Sequence, residues 1–405
     1  MKFFYNLDPK IAVVATRGAN AFIQFLLIIF YGMYLSASDF GQLSILMIFI
    51  GLSYGLLDLG VNNTIITKKI SKNQYGSMQA INLLIAITIG IFFYICSFFK
   101  IGFSSFGDEF YDSLAYFSPL LIIYSFTIVP YARLHKVLKL KQLALVDFIP
   151  VLSMLMTVPI LLRYELGIFT LFISVTIQVS LRFMMLKFFY GKIIRLNMKT
   201  KIPLITLSRQ YISNLTVYLT SKLDQLIVAA FTSPSTLGLY SFLKQILNYP
   251  ISLLIAIYTQ ITFPFFSKHR KQSKKIKILL NRSFLVLILI ITLYFIFLVS
   301  LPNNFMNSYI SLWDLKTTLA LLIMTLSISR ICFECFATMS IAVGYIKQQL
   351  RINLLYLLLV FIFGICIPFF GLEMYLLMLS LSAIFISVFI YTSTFTRLEK
   401  DRLSI

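Results

Sequence analysis

Within the stretch YLTSKLDQLIVAAF, residues 218–231, Lys222 and Asp224 place opposite charges two positions apart in an otherwise apolar segment. On an α-helix two positions are about 200° apart, so the two side chains point to nearly opposite sides and cannot neutralise one another. Each needs its own partner. At helical spacing, Tyr211, Asn214, Tyr218, Lys222 and Gln225 form an aromatic and amide stripe, with Arg209 close by. Two related stripes occur elsewhere: Arg17, Asn20, Gln24 and Tyr31, and then Tyr240, Lys244 and Asn248. Tyrosine and amide side chains hold hydroxyl-rich ligands by stacking and hydrogen bonds, and Lys or Arg suits a phosphate. The three faces are expected to wall a wet, cationic cavity. Taken singly, Asn20, Gln24, Asn214 and Gln225 would serve equally well as glue between helices. Lys222 is a different case, because it lies about nine residues, or ~13 Å, from the outer end of its helix, too far for easy snorkelling. Asp224, on the opposite side, is expected to pair with a neighbouring helix through Lys244 or Arg330.

Other charges also interrupt apolar runs. A charged side chain at mid-bilayer costs roughly 2.5–3.5 kcal/mol, so such residues face protein or water. Arg182, Arg209 and Asp58 lie within about two turns of a helix end, where the arginines can snorkel. Arg330 and Glu334 are spaced i, i+4 and are expected to neutralise one another on one helix face. Asp58, Asp147, Asp224 and Glu334 could each bind a proton or cation, and each could equally be a salt-bridge partner.

Much chemistry is absent from the sequence. There is no G-x-x-x-x-G-K-[ST] loop, no G-x-S-x-G and no H-E-x-x-H, so neither a nucleotide engine nor a hydrolase of those types is encoded. The two histidines, His135 and His269, lie among lysines in short connections. Cys332 and Cys335 in CFEC have C-x-x-C spacing but no second pair of ligands, and with Cys96 and Cys366 they sit in apolar segments, so no metal site is expected. No enzyme activity and no bound cofactor are expected. A Na+ or H+ gradient is the energy source that the intramembrane carboxylates could tap.

The elements that must hold these residues are membrane helices. The 405 residues are 59% hydrophobic and 12% charged, with a mean hydropathy of +0.91. A spanning helix needs roughly 20 apolar residues, and twelve such segments can be laid along the chain, from Ile11–Leu35 and Phe40–Asn62 to Ile352–Phe370 and Tyr375–Thr394. Runs such as FLVLILIITLYFIFLVSL do not alternate, which excludes barrel strands. The first apolar run has full spanning length and no small-residue cleavage site, so it is expected to be a helix rather than a cleaved signal.

Lysine and arginine crowd alternate connections, including Lys68–Lys72, Arg133–Lys141, Lys187–Lys201 and KHRKQSKKIK, while half of the 14 acidic residues fall in the other set. The formal charge of +21 is thus a topology signal that puts both termini in the cytoplasm. Charges scattered over so many short loops do not suit nucleic acid. A polar interruption near Lys187–Lys201 divides the helices six and six. Two echoes support a parallel duplication. SASDFGQLS follows the first helix of one half and SPSTLGLYS the first helix of the other, and KLKQLALVDF matches GYIKQQLRINLL after the fourth. The expected fold is all-α integral membrane, with about 12 transmembrane helices in two six-helix lobes, residues 1–195 and 196–405, around a central cleft.

Three segments carry a resemblance. LSASDFGQLSILMIFIGLSYGLLDLGVNNTIITKK, SRQYISNLTVYLTSKLDQLIVAAFTSPSTLGLYSFLKQILNYPISLLIAIYTQITFPFFSK and PLLIIYSFTIVPYARLHKVLKLKQLALVD resemble the polysaccharide-transporter branch of the multidrug/oligosaccharidyl-lipid/polysaccharide exporter superfamily. In the second segment the family's aspartate, LG-Y corner and prolines stand here as Asp224, Leu237-Gly238 with Tyr240, Pro250 and Pro264. The resemblance implies a flippase in the bacterial cytoplasmic membrane. Its substrate would be undecaprenyl-diphosphate-linked repeat units of O-antigen, capsule or exopolysaccharide, moved to the outer leaflet by alternating access. Its partners would be that polyprenyl-diphosphate-linked glycan, membrane lipids, and glycan polymerase and assembly proteins. Lys222, Arg17, Lys244 and Arg209 are the expected cavity cations. A multidrug or cation antiporter of the same superfamily would prefer an acidic cavity. A major-facilitator metabolite porter would carry a G-x-x-x-D-R-x-G-R-like link where this chain reads DLGVNNTIITKK. A membrane enzyme of glycan assembly would need larger outer loops.

Overall fold

The computed structural model describes residues 9–58, 60–67, 70–102, 106–190, 196, 204–269, 272–301 and 318–403. The expected boundary at 195/196 falls beside residues outside that set. Thirteen α-helices run through the described residues: α1 Pro9–Tyr34, α2 Ala37–Asp58, α3 Val61–Thr67, α4 Lys72–Phe98, α5 Asp108–Lys136, α6 Leu140–Arg163, α7 Phe169–Tyr190, α8 Leu204–Phe231, α9 Pro234–Lys268, α10 Ser273–Ser300, α11 Thr318–Val343, α12 Ile346–Ile365 and α13 Ile367–Leu403. Eleven of them are long and apolar enough to cross a bilayer. The 28 residues of α8 add a twelfth helix of spanning length, about 42 Å. The protein is an all-α multi-pass membrane protein.

Two helix ends differ from the hydropathy reading, each for a local reason. The expected second segment, Phe40–Asn62, stops at Asp58, because Gly60 takes φ +72°. Four residues later the Asn62 N–H donates to Asp58 Oδ1 at 3.1 Å, which ties down the start of the short α3. The expected segment Ile352–Phe370 ends at Ile365, and Pro368 stands in the first turn of α13, where a missing N–H costs nothing. Gly371, at φ +81°, then breaks α13 before the long apolar stem that follows. Pro119 and Pro130 lie inside α5, and Pro150 and Pro159 inside α6.

The chain forms two compact units. The first comprises residues 1–218 and 233–238. In it α4 packs on α5, α1 on α6, and α7 on both α5 and α6. Leu134, Leu143, Val146 and Leu186 make one of its buried clusters. The second comprises residues 219–232 and 239–405, with α13 packed on α11 and α12 and a core of Phe266, Ile276, Leu280, Met339, Ala342 and Phe395. Outward faces are greasy. Ile91, Phe92 and Tyr94 on α4 and Leu285, Leu289 and Ile296 on α10 are each more than half exposed, the surface a bilayer would cover.

Within the first unit the echo SASDFGQLS/SPSTLGLYS acquires a physical meaning. A Cβ on Gly41 would collide with the Pro234 carbonyl oxygen, and one on Gly238 would collide with the Ala37 carbonyl oxygen. Each glycine also lies against the other's backbone nitrogen at 3.1 Å, measured from the added Cβ. Backbone cannot yield as a flexible side chain can. Gly238→Ala is therefore expected to cost about 1–3 kcal/mol through overpacking. Thermal unfolding in detergent checks this, and an unchanged midpoint would contradict it.

Candidate functional site

Lys222 and Asp224 both belong to the second unit. After Tyr218 the C-terminal stretch of α8 presents Ser221, Lys222 and Gln225 to a cavity of about 420 Å³. Lys244, Gln245, Asn248 and Tyr249 of α9, and Ser327, Arg330 and Glu334 of α11, complete its polar wall. The wall is wider than an i, i+4 stripe, because a helix face covers 100° or more. For that reason Gln245 and Tyr249, one position beyond Lys244 and Asn248, were not legible from spacing.

Asp224 points away from Lys222, as the helical angle requires. Its Oδ2 accepts from Lys244 Nζ at 2.5 Å and from the Tyr240 hydroxyl at 2.7 Å. Asp224 and Lys244 are each only 7% exposed, so the pair is a buried ion pair whose members hold each other's charge. Lys244 also reaches the Ser221 carbonyl at 3.5 Å, and its own carbonyl accepts from Asn248 Nδ2 at 2.8 Å. Lys244 lines the cavity with its charge already matched. Gln225 Nε2 donates to Ser241 Oγ at 3.2 Å, joining α8 to α9.

Arg330 and Glu334 do not form the expected pair: no ion pair within 4 Å joins them. The i, i+4 spacing permits contact between long side chains without imposing it, and both half-buried groups line the cavity instead. Lys222 and Arg330 make no hydrogen bond or ion pair among the described residues, and neither does the Glu334 carboxylate. The lining holds three cations, Lys222, Lys244 and Arg330, against Glu334 alone. Asp224 cancels Lys244, so the uncommitted charge is Lys222 plus Arg330 against one carboxylate. Such a wall can hold an anionic group between two cations and hydroxyls on the neighbouring amides.

The remaining site expectations land elsewhere. Tyr218 belongs to the first unit, where its hydroxyl donates to the Ile48 carbonyl at 2.7 Å and lies under Gly51 of α2. Arg17 and Gln24 are exposed on α1, outside the lining of this cavity. Asn20 Nδ2 donates to the Asp147 carbonyl at 3.2 Å, gluing α1 to α6. The Asp147 side chain accepts from the Tyr131 hydroxyl at 2.8 Å and pairs with Arg182 at 3.5 Å, which makes it a salt-bridge partner. Asp58 holds the start of α3. The side chains of Arg209, Tyr211 and Asn214 lie outside the described residues.

Known structures share this architecture. An inward-facing multidrug resistance MATE family transporter of the MOP superfamily superposes with a TM-score of 0.70 at 11% identity, over 94% of this chain and 95% of that one. The lipid II flippase MurJ in an inward closed conformation gives 0.68 at 13% identity, over 97% and 91%. A MOP superfamily transporter from Pyrococcus furiosus, described as having a binding pocket of reverse polarity, gives 0.58 at 14%, over 98% and 97%. No curated protein sequence matches the chain. These likenesses establish the fold. The sequence profile described as Polysaccharide biosynthesis protein matches residues 34–307, well over half of the chain. That span includes α8, α9 and the Asp224–Lys244 pair, and on it the chain belongs to the polysaccharide biosynthesis protein family.

Proposed function

We propose that the protein is a flippase, not an enzyme, that carries undecaprenyl-diphosphate-linked oligosaccharide from the cytoplasmic to the outer leaflet of a bacterial cytoplasmic membrane. The single observation that carries this reading is the second-unit cavity with Lys222 and Arg330 uncommitted. A diphosphate crossing the hydrocarbon core needs counter-charges inside the protein, where a charge is otherwise costly, while the polyprenyl tail stays in lipid. Gln245, Asn248 and Ser327 offer hydrogen bonds to hydroxyls beside it. Membership in a polysaccharide biosynthesis family and a fold shared with the lipid II flippase MurJ support the same cargo class. Motion by alternating access follows from this reading, with both termini in the cytoplasm and glycan polymerase and assembly proteins as partners. Of the intramembrane carboxylates, Glu334 lines this cavity and is the one we assign to a coupling proton or Na+, whereas Asp147 and Asp224 are held in ion pairs.

Proteoliposomes carrying fluorescent lipid-linked oligosaccharide test the proposal by the leaflet in which the glycan resides. Protein-dependent translocation is the expected result. No translocation by folded protein supplied with the native glycan and ion gradients would reject it. Export of a cationic drug by the same vesicles would favour the multidrug reading, against which the cationic wall argues.

A further inference from the structure

A second cavity lies wholly within the first unit, and its chemistry differs from that of the first. It measures about 300 Å³, at the low end of small-ligand pockets. Tyr54, Asp58, Asn62, Tyr124, Tyr131 and Arg182 supply its polar and aromatic wall from α2, α3, α5 and α7.

Three features define what would fit. The first is unused hydrogen-bonding capacity of both kinds. Asn62 Oδ1 and Arg182 Nε are buried without a partner, and Asp58 uses only Oδ1, on the Asn62 N–H. A buried donor or acceptor left unmade costs about 1–3 kcal/mol, so groups of both kinds around one cavity point to a ligand that both donates and accepts. The second is the aromatic surface. Tyr54 and Tyr124 are stacked at 3.8 Å and 15°, with neither hydroxyl hydrogen-bonded among the described residues, and Tyr131 lies under the Arg182 guanidinium at 4.8 Å. The third is charge. The lining holds one carboxylate, Asp58, and one guanidinium, Arg182, which already pairs with Asp147. An anion would find no unpaired cation in that lining. A bare metal cation would share the cavity with Arg182. A neutral polyhydroxyl group meets neither objection, since each hydroxyl is donor and acceptor together.

We infer that this pocket is a sugar subsite that takes one neutral sugar residue of the lipid-linked glycan, with Asp58 and Asn62 accepting from its hydroxyls, Arg182 donating to one, and a tyrosine ring facing it. The inference rests on the flippase reading above. It assigns the glycan and the diphosphate to different chemistry, hydroxyl recognition here and charge matching at Lys222 and Arg330.

The test uses the full chain in nanodiscs and the lipid-linked oligosaccharide fraction of the cells that make it. That fraction is compared with synthetic undecaprenyl diphosphate, which carries no sugar. Wild-type protein is expected to bind the glycosylated lipid more tightly. Asp58→Asn keeps an acceptor for the Asn62 N–H, so the fold is retained, yet it should lose about tenfold in preference for the glycosylated lipid. Tyr54→Leu should behave likewise, Tyr54→Phe should retain most of the preference, and affinity for the sugar-free lipid should stay within about twofold. Variants with unchanged melting temperature and wild-type glycan preference would overturn the subsite while leaving the flippase reading intact. Thermal stabilisation by Na+ that Asp58→Asn abolishes, with glycan preference intact, would make the pocket a cation site and also overturn it. Wild-type protein that binds neither lipid would overturn both readings.

Discussion

Asp224→Ala is expected to be the most damaging single truncation of an ionisable side chain in the second unit, costing about 3–5 kcal/mol of stability. Removing one member of a buried ion pair leaves the other charge without compensation. Among the described residues Lys244, 7% exposed, would keep only the Ser221 carbonyl at 3.5 Å and the Tyr240 ring at 5.8 Å, while the Tyr240 hydroxyl would lose its acceptor. Lys244→Ala should fail for the mirror-image reason. The double variant Asp224→Leu with Lys244→Met removes both charges at similar volume, and it should recover most of the loss, because replacing a buried pair by apolar residues is often neutral or better. The observables are the melting midpoint in detergent and abundance in the membrane fraction. A single variant as stable as the double one would show that the pair does not hold this unit together.

Lys222→Ala is expected to do the opposite, leaving stability alone and slowing transport. Among the described residues no hydrogen bond or ion pair is made by Lys222, so no hydrogen-bonded partner there is stranded when it goes. A charge-assisted hydrogen bond to a phosphate contributes about 1.5–3 kcal/mol, which corresponds to roughly 10–150-fold in affinity. Initial flipping rates in proteoliposomes should fall by about that factor at equal protein abundance. Lys222→Arg should keep most of the rate, and Arg330→Ala should resemble Lys222→Ala. An unchanged rate for Lys222→Ala would remove it from the substrate path. These two results together would divide the duties of two lysines on one cavity wall, with Lys244 holding the helices and Lys222 serving transport.

What could be read from the sequence followed from periodicities that survive folding. Helix type, the number of spans and the opposed directions of Lys222 and Asp224 need only 3.6 residues per turn. The partner of Asp224 was not legible, because Lys244 and Arg330 both lie within reach in principle and only the register of α9 against α8 selects Lys244. Arg330 and Glu334 lie close enough to feel each other's charge without closing an ion pair within 4 Å, because local spacing says which side chains can meet, not whether they do. The end of α2 was missed because Gly60, inside a run of apolar and amide residues, gives hydropathy no signal of its positive φ. The first-unit pocket was beyond any pattern search. Tyr54, Tyr124 and Arg182 come from three helices and share no spacing.

The reciprocal contact of Gly41 with Pro234 and of Gly238 with Ala37 carries one more consequence. In it, position i of one corner touches position j of the other, and j touches i, the rule obeyed by a self-complementary dimer interface. A chain that is a tandem copy of a six-helix ancestor would retain this pattern where two ancestral subunits once met as equals. The corners then evolve as a couple rather than as two loops. Substitutions at Gly41 and Gly238 should be non-additive, since relaxing the backbone for one makes room for the other.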